Sequence, residues 1–471
     1  MALAVAAYSL SVRASQDVPS NRGESLPSCA DQHRSLPGIV FTCLTTIFLC
    51  IWSSVHINVP EPVDTRGLNS FKRLKIWIKL FVRRNVVPVI IALVFPEWVL
   101  GMAVLQFTRA TQLAKKIGMM RDLVLLSIND RFSLGATRRQ GFFILMGGFH
   151  LFGGGQVQSV NKARTNIGYS NHPLELVGES HHAPPEKKRN GIEEEFGKPL
   201  HPLDEFDVCH CIDTGKLLLP TSAELDDKCK RDGLARFVVV LQTLWFLAQC
   251  ALRKFRKLSI TELEIITLGY ILLTMLMNVA WWDKPYWVKF PVRVYETLPE
   301  RTNEQKVLKK KMEKVNPFGL PIAYAIGIQG EYVDLRGMKR VPMFHSGYVG
   351  AGNYFSKSVG AQATIIGGML FAAVHFLAWS SSVPPDRTQY LWRLGTILMI
   401  IVPPATVIAL CYAALIDPCI GLLVGTLLII SLPLCYWIGR GMTILVTVKT
   451  LKSLPIGTYR GLEWFAFFPH I

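Results

Sequence analysis

Runs of about twenty residues with few or no Asp, Glu, Lys or Arg recur along the chain, separated by segments in which charge is crowded. An apolar run of that length matches the hydrocarbon thickness of a bilayer, which a helix needs about 20 residues to cross. The pattern predicts seven spanning helices, at 37–55, 86–108, 234–252, 265–282, 359–379, 391–416 and 419–438. In hydrocarbon every backbone polar group must be satisfied within its own segment, so such runs are read as helices. The expected fold class is all-α: a polytopic helical membrane bundle with two large extramembrane insertions.

The layout follows from the same pattern. Residues 1–36 form an N-terminal extramembrane segment, and 37–108 hold the first two spans. Residues 109–233 are an insertion, interrupted by an apolar, Gly-rich segment at 141–155. Spans three and four occupy 234–282, a basic insertion follows at 283–358, spans five to seven fill 359–448, and 449–471 is a tail. The segment 141–155 is about 15 residues long, too short to cross, and reads as interfacial or re-entrant. Residues 71–82 alternate apolar and basic at helical spacing, which predicts a short helix lying in the interface. Residues 306–315 carry the same signature. Pro403-Pro404 is expected to break or kink the sixth span, because each ring removes a donor and clashes one turn back.

Composition narrows the class. Of the 471 residues 50% are hydrophobic and 18% charged, against about 25% charged in soluble domains. A soluble enzyme, a fibre and a disordered tail protein are excluded on that ground. Lys and Arg number 51 against 34 Asp and Glu, a formal net charge of +17. The bases flank apolar spans, as at Arg83-Arg84, 253–257 and 309–311, so the bilayer is the expected partner and nucleic acid is set aside. Positive-inside bias applied to seven spans puts the loop after the first span, the 253–257 cluster and the tail on the cytosolic side, with the N-terminus lumenal or extracellular. The expected localisation is multi-pass, in an endomembrane or the plasma membrane.

Glu97 is the first candidate for chemistry. It falls near the middle of the second span, where a carboxylate costs at least about 2.5 kcal/mol. One role is catalytic, as a neutral acid protonating an apolar substrate, or as a proton relay in a carrier. The other is structural: Pro96 starts a new helix and Glu97 complements its dipole. His375, within the fifth span, is either a catalytic base or a hydrogen-bonded packing residue. Glu262 and Glu264 open the fourth span, where Ser259 with Glu262, or Thr261 with Glu264, makes a capping-box pattern. Asp283 and Lys284 read as an interfacial pair. Cys29, Cys209, Cys211 and Cys229 lie in polar segments and suggest two disulfides; Cys-x-Cys is a poor zinc clip. No metal or cofactor is expected.

Several stretches, in order along nearly the whole chain, carry a resemblance: 55–60 (VHINVP), Pro96-Glu97-Trp98, 141–149 (GFFILMGGF), 241–246 (LQTLWF) with Gln249-Cys250, Thr261-Glu262-Leu263-Glu264, Trp281-Trp282-Asp283-Lys284-Pro285, Leu454-Pro455 and Phe468-Pro469-His470-Ile471. They resemble a large family of fungal integral membrane proteins with no established activity. The resemblance implies membrane embedding and an association with secondary-metabolite genes. The function expected is therefore a membrane-embedded enzyme or accessory protein acting on an apolar, terpenoid or lipid-like molecule. A transporter or channel and a non-catalytic anchoring protein are the alternatives.

Overall fold

The computed structural model describes residues 34–63, 68–128, 136–153, 197–229, 233–301, 333–348, 354–379, 387–413 and 418–461, with the single residues 303, 306 and 330. Cys29, the acidic cluster at 193–195, most of the basic stretch 306–315 and the terminal motif 468–471 lie outside the described residues.

Helix α1 (Leu36–Ser54) starts where Ser35 Oγ accepts from the Gly38 amide and Pro37 fills the first turn, a standard N-terminal arrangement. Helix α2 (Ser70–Phe81) buries no residue; it passes through a π-helical turn (Val82–Val86) into α3 (Val87–Val94). Helix α4 (Pro96–Ile128) follows. A smaller lobe holds α5 (Arg138–Leu145), β1 (Phe149–Gly153), β2 (Lys198–Pro202), α6 (Glu205–Asp213) and α7 (Ser222–Lys228). Helices α8 (Gly233–Phe255) and α9 (Glu262–Ala280) return to the bundle, and β3 (Val292–Val294) joins the lobe. The bundle closes with α10 (Tyr354–His375), α11 (Arg387–Ala413), α12 (Pro418–Thr450) and the short α13 (Ile456–Tyr459).

Six of these helices, α1, α8, α9, α10, α11 and α12, are long and apolar enough to cross a membrane. The predicted span at 86–108 is not straight. It breaks at Phe95, where the rod Ser70–Val94 and the helix Pro96–Met120 meet at 112°. Phe95 leaves the helical region with φ −122° and ψ 54°. A residue before proline is driven out of that region by the ring's Cδ, which gives the break its cause. In contrast, α11 runs as one helix through Pro403 and Pro404, where a break or kink was expected. The last apolar window lies at Ser431–Thr450, further along than the predicted 419–438.

The described part of the Gly-rich segment, residues 141–153, folds as the end of a helix followed by a strand of the lobe. Its first part completes α5, whose residues from Gln140 to Leu145 are all buried; Gly147 turns the chain at φ +82°, and β1 follows. The strand order is β2-β1-β3, antiparallel to β2 and parallel to β3. The segment is apolar because it is the core of the lobe, with Phe143 and Phe149 packed edge to face.

Helix α9 is the axis of the bundle. Its apolar window is 61% buried, against 22–33% for the windows of the other five. Two polar layers close the two ends of the bundle around it. At one end Arg34 pairs with Glu264, and the Arg34 amide donates to Tyr459 O at 2.8 Å. The buried Arg253 guanidinium there donates to the carbonyls of Ser259, Gly457, Thr458 and Arg460. At the other end Lys284 Nζ donates to His56 O (2.8 Å), Asn58 Oδ1 (3.2 Å) and Gln106 Oε1 (3.0 Å). The start of α1 thus lies with the start of α9, and the end of α1 lies with both the end of α9 and the apolar half of α4.

Candidate functional site

The break at Phe95 is stitched by a polar network deep in the bundle. Without residue 97 as a helical donor, the Leu93 carbonyl is left over, and the Tyr270 hydroxyl from α9 donates to it at 2.6 Å. Arg440 of α12 donates to the Tyr270 oxygen at 2.7 Å and to Glu97 Oε1 at 2.7 Å. Tyr436, one turn before Arg440, donates to the same carboxylate oxygen at 2.8 Å. The Arg440 guanidinium also lies over Phe371 (4.7 Å), Trp437 (5.3 Å) and Tyr270 (5.7 Å). Both charges are buried. A buried carboxylate is tolerable when it is paired and its remaining lone pairs are used. Glu97 is therefore where the dipole argument put it, in the first turn of a new helix, and it has a cationic partner besides.

His375 is fully buried at the end of α10. Its Nδ1 bonds Phe371 O at 2.8 Å, and its ring lies between Phe371 (4.9 Å) and Trp392 (5.4 Å). Glu97 and His375 do not touch. Phe371, which carries Arg440 on its ring, stands between the Glu97 network and the imidazole.

Asp283 and Lys284 are not a pair. Asp283 pairs with Arg138 at 3.1 Å, and Lys284 turns into the oxygen cage described above. Trp281 Nε1 also donates to Gln106 Oε1 at 2.9 Å, and Gln106 Nε2 donates to His345 O at 2.7 Å. Burial pushes the Lys284 amine down to about 7. The motif 55–60 and the motif 281–285, distant in sequence, meet here: the His56 ring packs on Trp281 (5.6 Å) and Tyr286 (4.8 Å).

A cleft of about 640 Å³ opens between α1, α8 and α9. Val239, Val240, Leu244, Met275 and Val279 supply apolar walls, and Thr243, Thr274 and Asn278 supply a sparse polar floor. Its far end holds His56, Arg139, Trp282 and Asp283. The size and mixed lining are those of a small-molecule pocket. Neither Glu97 nor His375 lines it.

The disulfide expectation is not met among the described residues. Cys209, Cys211 and Cys229 are free and buried, and burial pushes the Cys209 thiol up to about 11. No group of three or more His, Cys, Asp or Glu able to hold a metal ion occurs among the described residues. The Thr261–Glu264 capping box is present in full.

Arg440, Tyr270, Tyr436 and the caged Lys284 escape a reading by hydropathy. Arg440 had a signal nonetheless: it is the one charged residue between 418 and 448, and such a residue calls for a partner of opposite sign. The predicted seventh span stopped two residues short of it. Comparison with known proteins gives one similarity: residues 214–312 match the model of a family of unknown function, DUF8562. That region covers α7, α8, α9 and β3, and so two walls of the cleft. No curated protein and no solved structure matches the chain.

Proposed function

We propose that the protein is a multi-pass integral membrane protein with six crossings and one re-entrant pair, α3 and α4, and that it binds an apolar, lipid-like molecule from within the bilayer. The contacts of Lys284 support the re-entrant pair. Seven crossings would put the end of α1 and the end of the 86–108 stretch on opposite faces, yet one amine bonds His56 O and Gln106 Oε1. The pairing of Arg34 with Glu264 at the other end supports the same arrangement. The lobe then lies with residues 55–85 on one face, and 253–257, the tail and Arg34 lie on the other. The lobe face is assigned to the cytosol. Residues 65–96 hold seven bases and no acid, which favours that side, and three free buried thiols suit a reducing compartment.

The cleft between α1, α8 and α9 carries the functional reading. It lies in the half of each helix nearer the lobe. Its apolar walls include residues that face outward from the bundle, and its charged end lies at the level of Trp281-Trp282, where the headgroups begin. That gradient from apolar to charged matches an amphiphile entering sideways. In this reading Glu97 holds the re-entrant tip in place, and the groups within reach of a bound molecule are Thr243, Asn278 and, at the head, His56. The test is native mass spectrometry of protein extracted in mild detergent. Wild type should retain a lipid-like mass that is lost from Val240→Trp and from Val279→Trp, each of which fills the cleft. Equal retention in all three would end the assignment.

A further inference from the structure

We infer that a second cavity, at the root of the lobe, binds a phosphate-bearing molecule. This cavity of about 300 Å³ lies between α4 and α6. On α4 it is lined by Arg109, Gln112 and Lys116, which share one helical face at i, i+3 and i+7. Arg109 is buried, and its Nη1 donates to Gln112 Oε1 at 3.0 Å, which fixes the plane of the guanidinium. A fixed guanidinium with a flexible ammonium two turns on is a recurrent way to take a phosphate: the fork supplies paired donors and the lysine a point charge.

The opposing wall carries a single carboxyl. It belongs to Glu205, whose Oε1 accepts the Tyr348 amide. Burial raises the pKa of that carboxyl, while the Tyr348 amide and the nearby Arg109 guanidinium lower it. Leu113, Leu145 and Phe206 complete the cavity and leave room for an apolar portion beside the phosphate. In the re-entrant arrangement proposed above, on which this placement rests, Arg109 follows Gln106 by three residues and the cavity opens at headgroup depth on the lobe side. A lipid phosphate and a soluble phosphate ester present the same chemistry there.

The experiment uses the full chain in detergent, with inorganic phosphate and, separately, dihexanoyl phosphatidic acid as probes, read by calorimetric titration and thermal shift at constant ionic strength. Saturable binding of either probe is expected, with Lys116→Gln weakening it about tenfold. Lys116 is exposed, so this variant should fold. Lys75→Gln on α2, with the same change of charge away from the cavity, should bind as wild type. Binding of the phosphatidic acid with no response to phosphate identifies a lipid source; binding of both identifies a site open to soluble esters. The inference is overturned if neither probe binds saturably, or if Lys116→Gln binds like wild type. The cleft variant Val240→Trp should leave phosphate binding unchanged, so failure here and failure of the lateral cleft are read separately.

Discussion

Helix α9 and the stretch 86–108 look alike as hydropathy and differ as structures. Helix α9 is one continuous helix, carries its two carboxylates in its first turn, and bonds its threonines to its own backbone, as Thr267 and Thr274 do by donating to carbonyls one turn back. The other stretch places a proline and a carboxylate at its middle, bends by 112°, and depends on side chains from two other helices. Apolar length fixes where a chain can be buried. It does not fix the direction in which the chain leaves. That choice is made at Phe95 and Pro96 by local sterics, and it is stabilised at long range by Tyr270, Tyr436 and Arg440.

The difference can be broken at its strongest point first. Glu97→Ala leaves the Arg440 guanidinium buried without its carboxylate, and removing one member of a buried pair costs about 3–5 kcal/mol. Denaturant unfolding in detergent should show that loss, and Glu97→Leu combined with Arg440→Leu should recover part of it. In α9, Thr274→Val removes hydroxyl bonds to the helix's own backbone and a contact with the Cys50 thiol, and should cost about 1 kcal/mol or less. Next is Gly101→Val. A Cβ at Gly101 would lie 2.0 Å from Thr364 Oγ1 and 2.5 Å from Gly360 O, so α4 and α10 must move apart, at a cost of about 1–3 kcal/mol.

Lys284 gives a pH test of the lobe-side layer. The unfolded chain keeps this proton up to the ordinary 10.5, whereas the folded chain releases it at about 7. Between those values the unfolded state binds the extra proton. Stability should therefore climb with pH from about 7 upward, by at most about 1.4 kcal/mol per unit. Lys284→Met should flatten that slope, measured by thermal unfolding between pH 6.5 and 9.5. A small effect within the Glu97 network is expected from Tyr436→Phe, which removes one of the two donors to Glu97 described above and should cost about 1 kcal/mol.

Much of the bundle was legible. The positions of α1, α8 and α9 follow from charge-poor length to within three residues at each end, and the start of α9 from the cap at Thr261, because these are local rules. The π turn at Val82–Val86 and the sheet that uses Phe149–Gly153 were not legible. The first has no pattern of its own, and the second was hidden in a glycine-rich apolar run that is buried within the lobe. At the candidate site Glu97 was visible as a misplaced charge. Its partners were not, since Tyr270 and Tyr436 look like ordinary aromatics of a span. Lys284 was misjudged because adjacent charges suggest a pair, while successive residues at a helix end point in different directions.

The central claim is that 86–108 enters the membrane and returns to the same face. Single cysteines at Lys75, Lys216, Lys257 and Lys452, introduced in a background in which the exposed Cys411 is replaced, can be labelled in sealed vesicles with an impermeant maleimide. The re-entrant arrangement predicts that positions 75 and 216 react from one face and positions 257 and 452 from the other. Labelling of position 75 together with 257 and 452, opposite 216, would mean that the stretch crosses, and would contradict the account.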